Sequence, residues 1–260
     1  PMTDQTSHQW FITPLRAKPR VTYQRIIVFD IETRMRDEEG SVPEGSRRYH
    51  QANLVVAHVF KRNGPGPDGY SFDERFVAFG DDCIRHFCDK FLSEEYSNSL
   101  VFSHAGSNFD HAFILHECVT FRQLYPELIQ RGTKLLTMRF PENIVFADFH
   151  LFMPIALRKF ANTFGFDSSL YSKGRFPFRF NRQENYSYSG PLPSKIYYDY
   201  EQMTSDERSE FDAWYSEEQS SGKVFHFKQE LEGYCDLDCR ILGAGVLAFR
   251  KISHLLERWG

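Results

Sequence analysis

The most informative stretch of the sequence for the fold is Arg25-Ile26-Ile27-Val28-Phe29-Asp30-Ile31-Glu32. Its apolar residues are β-branched or aromatic and follow one another without polar alternation, which predicts a strand buried on both faces. Such a strand needs a layer on each side, and helical patterns follow later in the chain. Strands first and helices later indicate an α/β or α+β domain, and we predict an α/β domain with a mixed central sheet flanked by helices.

Two carboxylates interrupt the end of this apolar strand. Asp30 and Glu32 are two residues apart, and residues at that spacing point to the same face of a strand. Carboxylates that lie so close disfavour each other's ionisation unless a cation lies between them. The pair therefore indicates a metal site, whereas a strand that ended before Asp30 would leave both acids in solvent.

Further strands and helices are predicted after this run. The predicted strands are 54–62, 76–79, 99–103, 133–140 and 143–149, and the predicted helices are 81–93, 110–123, 152–164, 204–219 and 224–257. Residues 34–50 carry charges, glycine and proline and are expected to form a loop. Gly243 or Gly245 is expected to break the last helix.

The composition is that of a globular protein. Of the 260 residues, 41% are hydrophobic and 25% are charged, and the length predicts one or two domains. We expect residues 1–24 to form an arm and residues 25–258 to form a single domain with a long insertion at about 165–203. A loop of that length without regular structure is uncommon in a compact domain unless it is functional.

Charge and cysteine content exclude several classes of protein. Lys plus Arg is 31 and Asp plus Glu is 35, so the chain is not a polycation that binds nucleic acid by bulk charge. No apolar run approaches the length of a membrane-spanning helix, so no membrane partner is expected. The five cysteines form no Cys-x-x-Cys pair and predict reduced thiols in an intracellular protein of the nucleus or cytoplasm.

Two more acidic groups accompany the first pair. Asp110 opens a predicted helix after a glycine-containing turn, where an acid also serves as a favourable cap. Tyr234 and Asp238 are four residues apart on the last predicted helix, so the phenol and the carboxylate share one face. Asp236 between them is expected to point into solvent.

Considered together, the acids predict a metal-dependent phosphodiesterase. Carboxylate oxygens are the ligands preferred by Mg²⁺ and Mn²⁺. Two such ions can clamp the attacking and leaving oxygens of a displacement at phosphorus, and a tyrosine can orient the attacking water. The four carboxylates expected to supply these ligands are Asp30, Glu32, Asp110 and Asp238.

The three acidic segments resemble the motifs of the DEDD 3′–5′ exonuclease superfamily, tyrosine subtype, and in particular the exonuclease domain of protein-primed family B DNA polymerases. The resemblance is carried by Phe29 to Thr33, His104 to Leu115 and Tyr234 to Leu242, in that order. The chain between them is also similar to polymerases of the Polinton or Maverick transposons. The likeness covers about residues 25–250 and implies a ribonuclease H-like fold.

The resemblance also implies roles for individual residues. The acids correspond to metal ligands, and the tyrosine corresponds to the residue that orients water. A lysine that positions the scissile phosphate completes the catalytic set of Asp30, Glu32, Asp110, Tyr234, Asp238 and Lys159. Thr33 and Phe109 correspond to residues that hold the single-stranded 3′ end, and Ser107 and Asn108 in the turn before Phe109 are further expected nucleic-acid contacts.

Two features bear on substrate binding. Ala105 stands where the family usually has an asparagine that grips the terminal nucleotide, and Asn108 in the same turn is the alternative donor. In the insertion, Lys173, Arg175 and Arg179 alternate with phenylalanines, a pattern that suits phosphate contacts and base stacking on single strands. A basic loop anchored by buried phenylalanines is the structural alternative.

The sequence thus predicts a 3′–5′ exonuclease that uses two Mg²⁺ or Mn²⁺ ions and releases nucleoside 5′-monophosphates from single-stranded DNA or RNA. No palm or fingers motif is recognised, so no polymerase activity is expected of these residues. The alternative is a catalytically weak module, related to a transposon polymerase, that binds nucleic-acid ends or recruits a protein partner.

Overall fold

The computed structural model describes residues 22–37, 48–65, 69–167, 171 and 174–257. Most of the predicted N-terminal arm lies outside the described residues, and so does Lys173 of the insertion.

A seven-stranded mixed sheet forms the centre of the described chain. Its strands are β1 (Arg25–Asp37), β2 (Arg48–Arg62), β3 (Tyr70–Phe79), β4 (Ser99–Ser103), β5 (Glu127–Arg131), β6 (Lys134–Phe140) and β7 (Ile144–Asp148). Their order is β3-β2-β1-β4-β7-β6-β5. β4 pairs in parallel with β1 and β7, and the other neighbours are antiparallel.

Helices cover both faces of the sheet and confirm the predicted fold class. They are α1 (Cys83–Phe91), α2 (Asp110–Phe121), α3 (Phe160–Phe164), α4 (Ser205–Ser220) and α5 (Phe227–Glu257), and a small ribbon pairs β8 (Ser189–Gly190) with β9 (Phe225–His226). Alternate residues of β1 enter different cores: Ile27 and Phe29 pack with α1 and α2, whereas Ile26 and Val28 pack with α5.

β1 is longer than the sequence predicted. It continues past Glu32 to Asp37 as the antiparallel partner of β2, where a loop was expected. Its parallel register with β4 runs only from Arg25 to Val28. Asp30 and Glu32 therefore lie in mid-strand, beyond the part of β1 that pairs with β4. This leaves one flank of the two acids open to other elements.

Two helix predictions were wrong in detail. The expected helix over 152–164 is reduced to α3 preceded by a 3-10 turn, Leu157–Lys159, because Pro154 cannot continue a helical ladder. α5 is continuous through its glycines. A β-carbon at Gly243 would lie 2.7 Å from the Phe60 ring, and one at Gly245 would overlap Phe160. These glycines permit close packing and do not break the helix.

The insertion is irregular but well packed. The part of it that the structure describes consists mainly of 3-10 turns, and Phe176, Phe180 and Tyr198 within it are buried. α4 begins at the predicted capping box, in which Thr204 and Glu207 exchange hydrogen bonds. All five cysteines are buried free thiols, as the sequence predicted. Among the described residues, none of the helices combines the length and apolarity that crossing a bilayer requires.

Candidate active site

The first acid pair faces α5. Asp30 and Glu32 continue the series of β1 residues that begins with Ile26 and Val28, which pack against that helix. Ligand atoms of Asp30, Glu32 and Cys235 lie within 4.8 Å of one another. The predicted pair is thus a cluster at the junction of β1 and α5.

Cys235 supports this cluster as a hydrogen-bond donor. Its Sγ lies 3.4 Å from the Asp30 carbonyl oxygen and 3.5 Å from Asp30 Oδ2. Burial raises the pKa of the Cys235 thiol well above its ordinary value, and nearby Cys239 and Asp30 raise it further. The sulfur therefore stays protonated, and the hard carboxylate oxygens remain the ligands suited to Mg²⁺.

Asp110 lies next to the same part of β1 and is carried by α2 rather than by α5. It is buried at the first residue of α2, and its carboxylate accepts hydrogen bonds from its own main-chain N–H and from that of Ile31. Ile31 lies between Asp30 and Glu32. Burial raises the pKa of Asp110, and the negative charge of Asp148 raises it further. A cation at this place would offset both effects.

Asp148 holds the turn that precedes α2. Its Oδ1 accepts hydrogen bonds from the main-chain N–H groups of Ala105, at 2.8 Å, and His150, at 2.9 Å. Its Oδ2 accepts one from Ser107 at 3.1 Å. Sequence reasoning missed this role. The only local signal was an acid at the end of a buried strand, because the two partners in the turn, Ala105 and Ser107, lie about 40 residues away.

The turn itself is tightly constrained. Ala105 has a left-handed backbone with φ of 61°, a conformation that favours asparagine or glycine over alanine. A β-carbon at Gly106 would overlap Ser103 Oγ and lie 3.0 Å from Asp110 Oδ2. Glycine at 106 therefore allows the turn to pack against the acid that opens α2.

Tyr234 and Asp238 complete the arrangement from α5. Asp238 is buried and lies three residues beyond Cys235, so it is on the side of the helix that meets β1. The Tyr234 ring is half-buried and packs edge-on to Phe178 at 5.3 Å and tilted against Phe176 at 5.9 Å. The insertion thus forms one wall beside the tyrosine.

Thr33 and Phe109, both predicted to hold a nucleic-acid end, meet through a residue that sequence reasoning missed. Thr33 Oγ1 lies 2.9 Å from His50 Nδ1, and the His50 ring packs edge-on to Phe109 at 5.1 Å. His50 is exposed on β2. In the turn Gly106–Asn108, which precedes Phe109, Asn108 is exposed whereas Ser107 is buried.

Lys159 is exposed at the start of α3. The neighbouring Phe160 packs edge-on against His104 at 5.4 Å, and His104 Nε2 lies 2.9 Å from the Ile155 carbonyl. These contacts place the segment that carries Lys159 beside the turn before α2.

The arginines of the insertion have partners within the protein. The Arg175 guanidinium lies over Phe211 at 5.5 Å and Trp214 at 5.8 Å. Arg179 forms an ion pair with Asp199. These contacts favour the structural alternative for both arginines, although their side chains remain partly exposed.

The sequence predicted that Asp236 points into solvent, and this prediction was wrong. It accepts hydrogen bonds from His58, at 2.9 Å, and from Arg75, both on the β2–β3 side of α5. Burial opposes its ionisation, but these two partners outweigh burial and lower the pKa of Asp236 to about 2. Its role in the described fold is to tie α5 to the sheet.

The donor set fits divalent metal ions. It consists of carboxylates from β1, α2 and α5, most of them buried, and burial of several negative charges is costly unless a cation compensates them. The residues that could hold such ions are Asp30, Glu32, Asp110 and Asp238.

The family described as DNA polymerase type B, organellar and viral, matches residues 92–255, which is more than half of the chain. The chain belongs to this family. The match confirms the resemblance to family B polymerases that the three motifs indicated, while the likeness to transposon polymerases in particular stays a prediction.

A curated relative extends the match to nearly the whole chain. The probable DNA polymerase of Ascobolus immersus is 23% identical over 255 residues, which cover 94% of this chain and 19% of the relative. The chain thus spans about a fifth of the length of that polymerase.

Two solved polymerases show distant similarity. Phi29 DNA polymerase complexed with single-stranded DNA has a TM-score of 0.44 and 14% identity, over 67% of this chain and 28% of that chain. The family B DNA polymerase of the archaeon Pyrobaculum calidifontis has a TM-score of 0.33 and 14% identity, over 76% of this chain and 23% of that chain.

Proposed function

We propose that this chain is a 3′–5′ exonuclease domain of a family B DNA polymerase and removes nucleotides from the 3′ end of single-stranded DNA. One observation carries the proposal: acids from three distant parts of the sequence converge beside α5 and the middle of β1. Asp30 and Glu32 cluster with Cys235, Asp110 bonds to the intervening Ile31, and Asp238 lies one turn beyond Cys235.

The proposed cofactors are two Mg²⁺ or Mn²⁺ ions. When bound, such ions neutralise phosphate charge and lower the pKa of a coordinated water. The acids hold the ions, and the Tyr234 phenol orients the water toward phosphorus. The proposed domain comprises residues 25–258, with the insertion at about 165–203 as an integral part.

The proposed reaction is hydrolysis of the last phosphodiester. The water oxygen bonds to phosphorus while the bond from phosphorus to the 3′ oxygen of the penultimate nucleotide breaks. That oxygen takes up a proton and remains as the new 3′ hydroxyl, and the terminal residue leaves as a nucleoside 5′-monophosphate. Lys159 is the proposed contact to the scissile phosphate.

Aromatic residues that are partly or fully exposed near the acids suit a single-stranded end. Phe109 and His50 form one edge-on pair, and Phe178 is exposed beside Tyr234. Base stacking on aromatic rings is tolerant of sequence and needs an unpaired strand. Thr33, beside His50, and Asn108 supply polar groups at the same edge.

The proposal is tested with a single-stranded oligonucleotide labelled at either end, in DNA and RNA forms, with Mg²⁺ or Mn²⁺. We expect a ladder from the 5′-labelled strand and a labelled mononucleotide from the 3′-labelled strand. Asp30→Ala should remove nearly all turnover, while Asp82→Ala should not, because Asp82 makes an exposed ion pair with Arg85.

Other outcomes identify the alternatives. Cutting of circular single strands at an equal rate would indicate an endonuclease. Tight binding of 3′ ends without hydrolysis would support the catalytically weak module. Ala105, which replaces the usual asparagine of the family, is compatible with that alternative. Faster hydrolysis of the RNA strand would replace DNA by RNA as the proposed substrate.

A further inference from the structure

The register of β1 against β2 skips one residue beside the acid pair. Glu32 pairs with Leu54 and Thr33 pairs with Ala52, so Asn53 is the extra residue of a β-bulge. The bulge lies on β2 and disrupts its ladder to β1 at the point where Glu32 and Thr33 pair with it. The position of these two β1 residues therefore depends on what holds the bulge.

The side-chain amide of Asn181, a buried residue of the insertion, holds the bulge at Asn53. Asn53 Nδ2 donates to Asn181 Oδ1 at 2.6 Å, and Asn181 Nδ2 donates to the Thr33 carbonyl at 2.9 Å. The two asparagines are 0% and 2% exposed, respectively. Buried amides with satisfied partners fix local geometry, because no water can replace a lost bond.

The same segment contacts the proposed water-orienting residue. Phe178, three residues before Asn181, packs on the Tyr234 ring, and the Asn181 main-chain N–H donates to the Phe178 carbonyl at 3.1 Å. A short, internally bonded segment thus joins the bulge of β2 and the facing Thr33 of β1 to the tyrosine of α5.

We propose that residues 174–181 form a brace that sets the geometry between the first and third acidic segments, with Asn181 as its positioning residue. The inference rests on the proposed exonuclease function for its kinetic readout. Asn181 touches neither substrate nor metal ligand side chains in this account. It acts through Thr33 and, by way of the bulge, through Glu32.

The test compares Asn181→Ala and Asn181→Asp with the control Ser189→Ala. The aspartate has the shape of asparagine but no donor for the Thr33 carbonyl. Ser189 lies in the same insertion but outside the brace, and its exposed hydroxyl bonds to His226 Nδ1 at 2.9 Å. Asn53→Ala is a milder variant that keeps the Asn181–Thr33 bond, and it keeps the test readable if the Asn181 variants do not fold.

We expect both Asn181 variants to lose kcat by about tenfold or more with KM changed by less than about twofold, because misplacement acts on the reacting geometry. Main-chain hydrogen exchange should accelerate over residues 31–34 in both variants, and by less in Asn53→Ala. Ser189→Ala should show neither effect. Rates and exchange equal to those of Ser189→Ala would overturn the brace.

Hydrogen exchange separates this inference from the proposed function. If the parent protein hydrolyses no strand, the exonuclease proposal fails, and exchange over residues 31–34 still decides whether Asn181 holds the bulge. If the parent is active and exchange does not change, the exonuclease proposal stands and the brace is wrong.

Discussion

Cys235 Sγ lies 3.5 Å from Asp30 Oδ2 and 3.4 Å from the Asp30 carbonyl oxygen. The two residues are 205 positions apart in the chain, so this contact fastens α5 to the acid pair of β1. The raised pKa of the thiol makes it a donor and leaves ion binding to oxygen atoms.

The first prediction follows from that contact. Cys235→Ser keeps a donor of similar size, so we expect activity within about threefold of the parent with either Mg²⁺ or Mn²⁺. Steady-state rates with each ion provide the measurement. If the serine variant lost activity with Mn²⁺ but kept it with Mg²⁺, the sulfur would be a ligand and this account of Cys235 would be wrong.

Asp110 is expected to reduce stability when no metal is bound. Because its pKa is raised by burial, its ionisation above that pKa favours the unfolded state, in which the group titrates normally. Asp110→Asn should therefore stabilise the metal-free protein at pH 8 by on the order of 1 kcal/mol, or about 2–4 °C in Tm. The gain should disappear at pH 4, where the parent carboxyl is protonated.

Added Mg²⁺ should reverse this order of stability. It should raise the Tm of the parent more than that of Asp110→Asn, while the variant loses most of its hydrolysis. An Asp110→Asn protein that is less stable than the metal-free parent at pH 8 would contradict the electrostatic account of Asp110.

Substitutions at Ala105 are expected to have separable effects on stability and activity. Asparagine tolerates the left-handed backbone at this position, so Ala105→Asn should stabilise the protein by up to about 1 kcal/mol. If the new amide reaches the terminal nucleotide, kcat/KM should rise by up to about tenfold. Ala105→Gly is the matched control, because it relaxes the backbone without adding an amide.

Ala105→Asn, Ala105→Gly and Asn108→Ala together identify the residue that contacts the 3′-terminal nucleotide. A rise in kcat/KM for Ala105→Asn alone assigns the gain to the amide. An equal rise for Ala105→Gly assigns it to the backbone. If Ala105→Asn is neutral and Asn108→Ala lowers kcat/KM, the exposed Asn108 has taken the role.

The ion pairs of Asp236 are expected to contribute to stability in a pH-dependent way. Its pKa is lowered to about 2 in the folded state, so its stabilisation is complete above its unfolded pKa near 4 and is lost as the pH falls toward 2. Asp236→Asn should lower the free energy of unfolding by about 2 kcal/mol at pH 7. Denaturant unfolding at pH 7 and pH 3 should show a smaller difference at pH 3, and an equal difference would contradict the ion-pair explanation.

Sequence reasoning succeeded where the information was local. The unbroken apolar pattern of β1 predicted a central strand, and the two-residue spacing of Asp30 and Glu32 predicted their common face. The Thr204–Glu207 capping box predicted the start of α4, because both partners lie within one turn.

It failed where the determining contact was distant or depended on the partner strand. The continuation of β1 past Glu32 follows from pairing with β2, and nothing in its polar residues shows this. The Asp148 bonds and the Asn53–Asn181 pair connect residues about 40 and 128 positions apart. His50 lies between Thr33 and Phe109 only because β2 is extended to residue 48.

The central claim is that the acidic cluster hydrolyses the last phosphodiester through divalent ions bound to its carboxylates. The most direct measurement uses a short DNA strand whose last phosphate carries sulfur in place of one non-bridging oxygen, with the two diastereomers assayed separately. We expect one diastereomer to react slowly with Mg²⁺ and to recover with Mn²⁺, which accepts sulfur more readily. Equal rates for both diastereomers with Mg²⁺, or hydrolysis that persists in Asp30→Ala, would contradict the account.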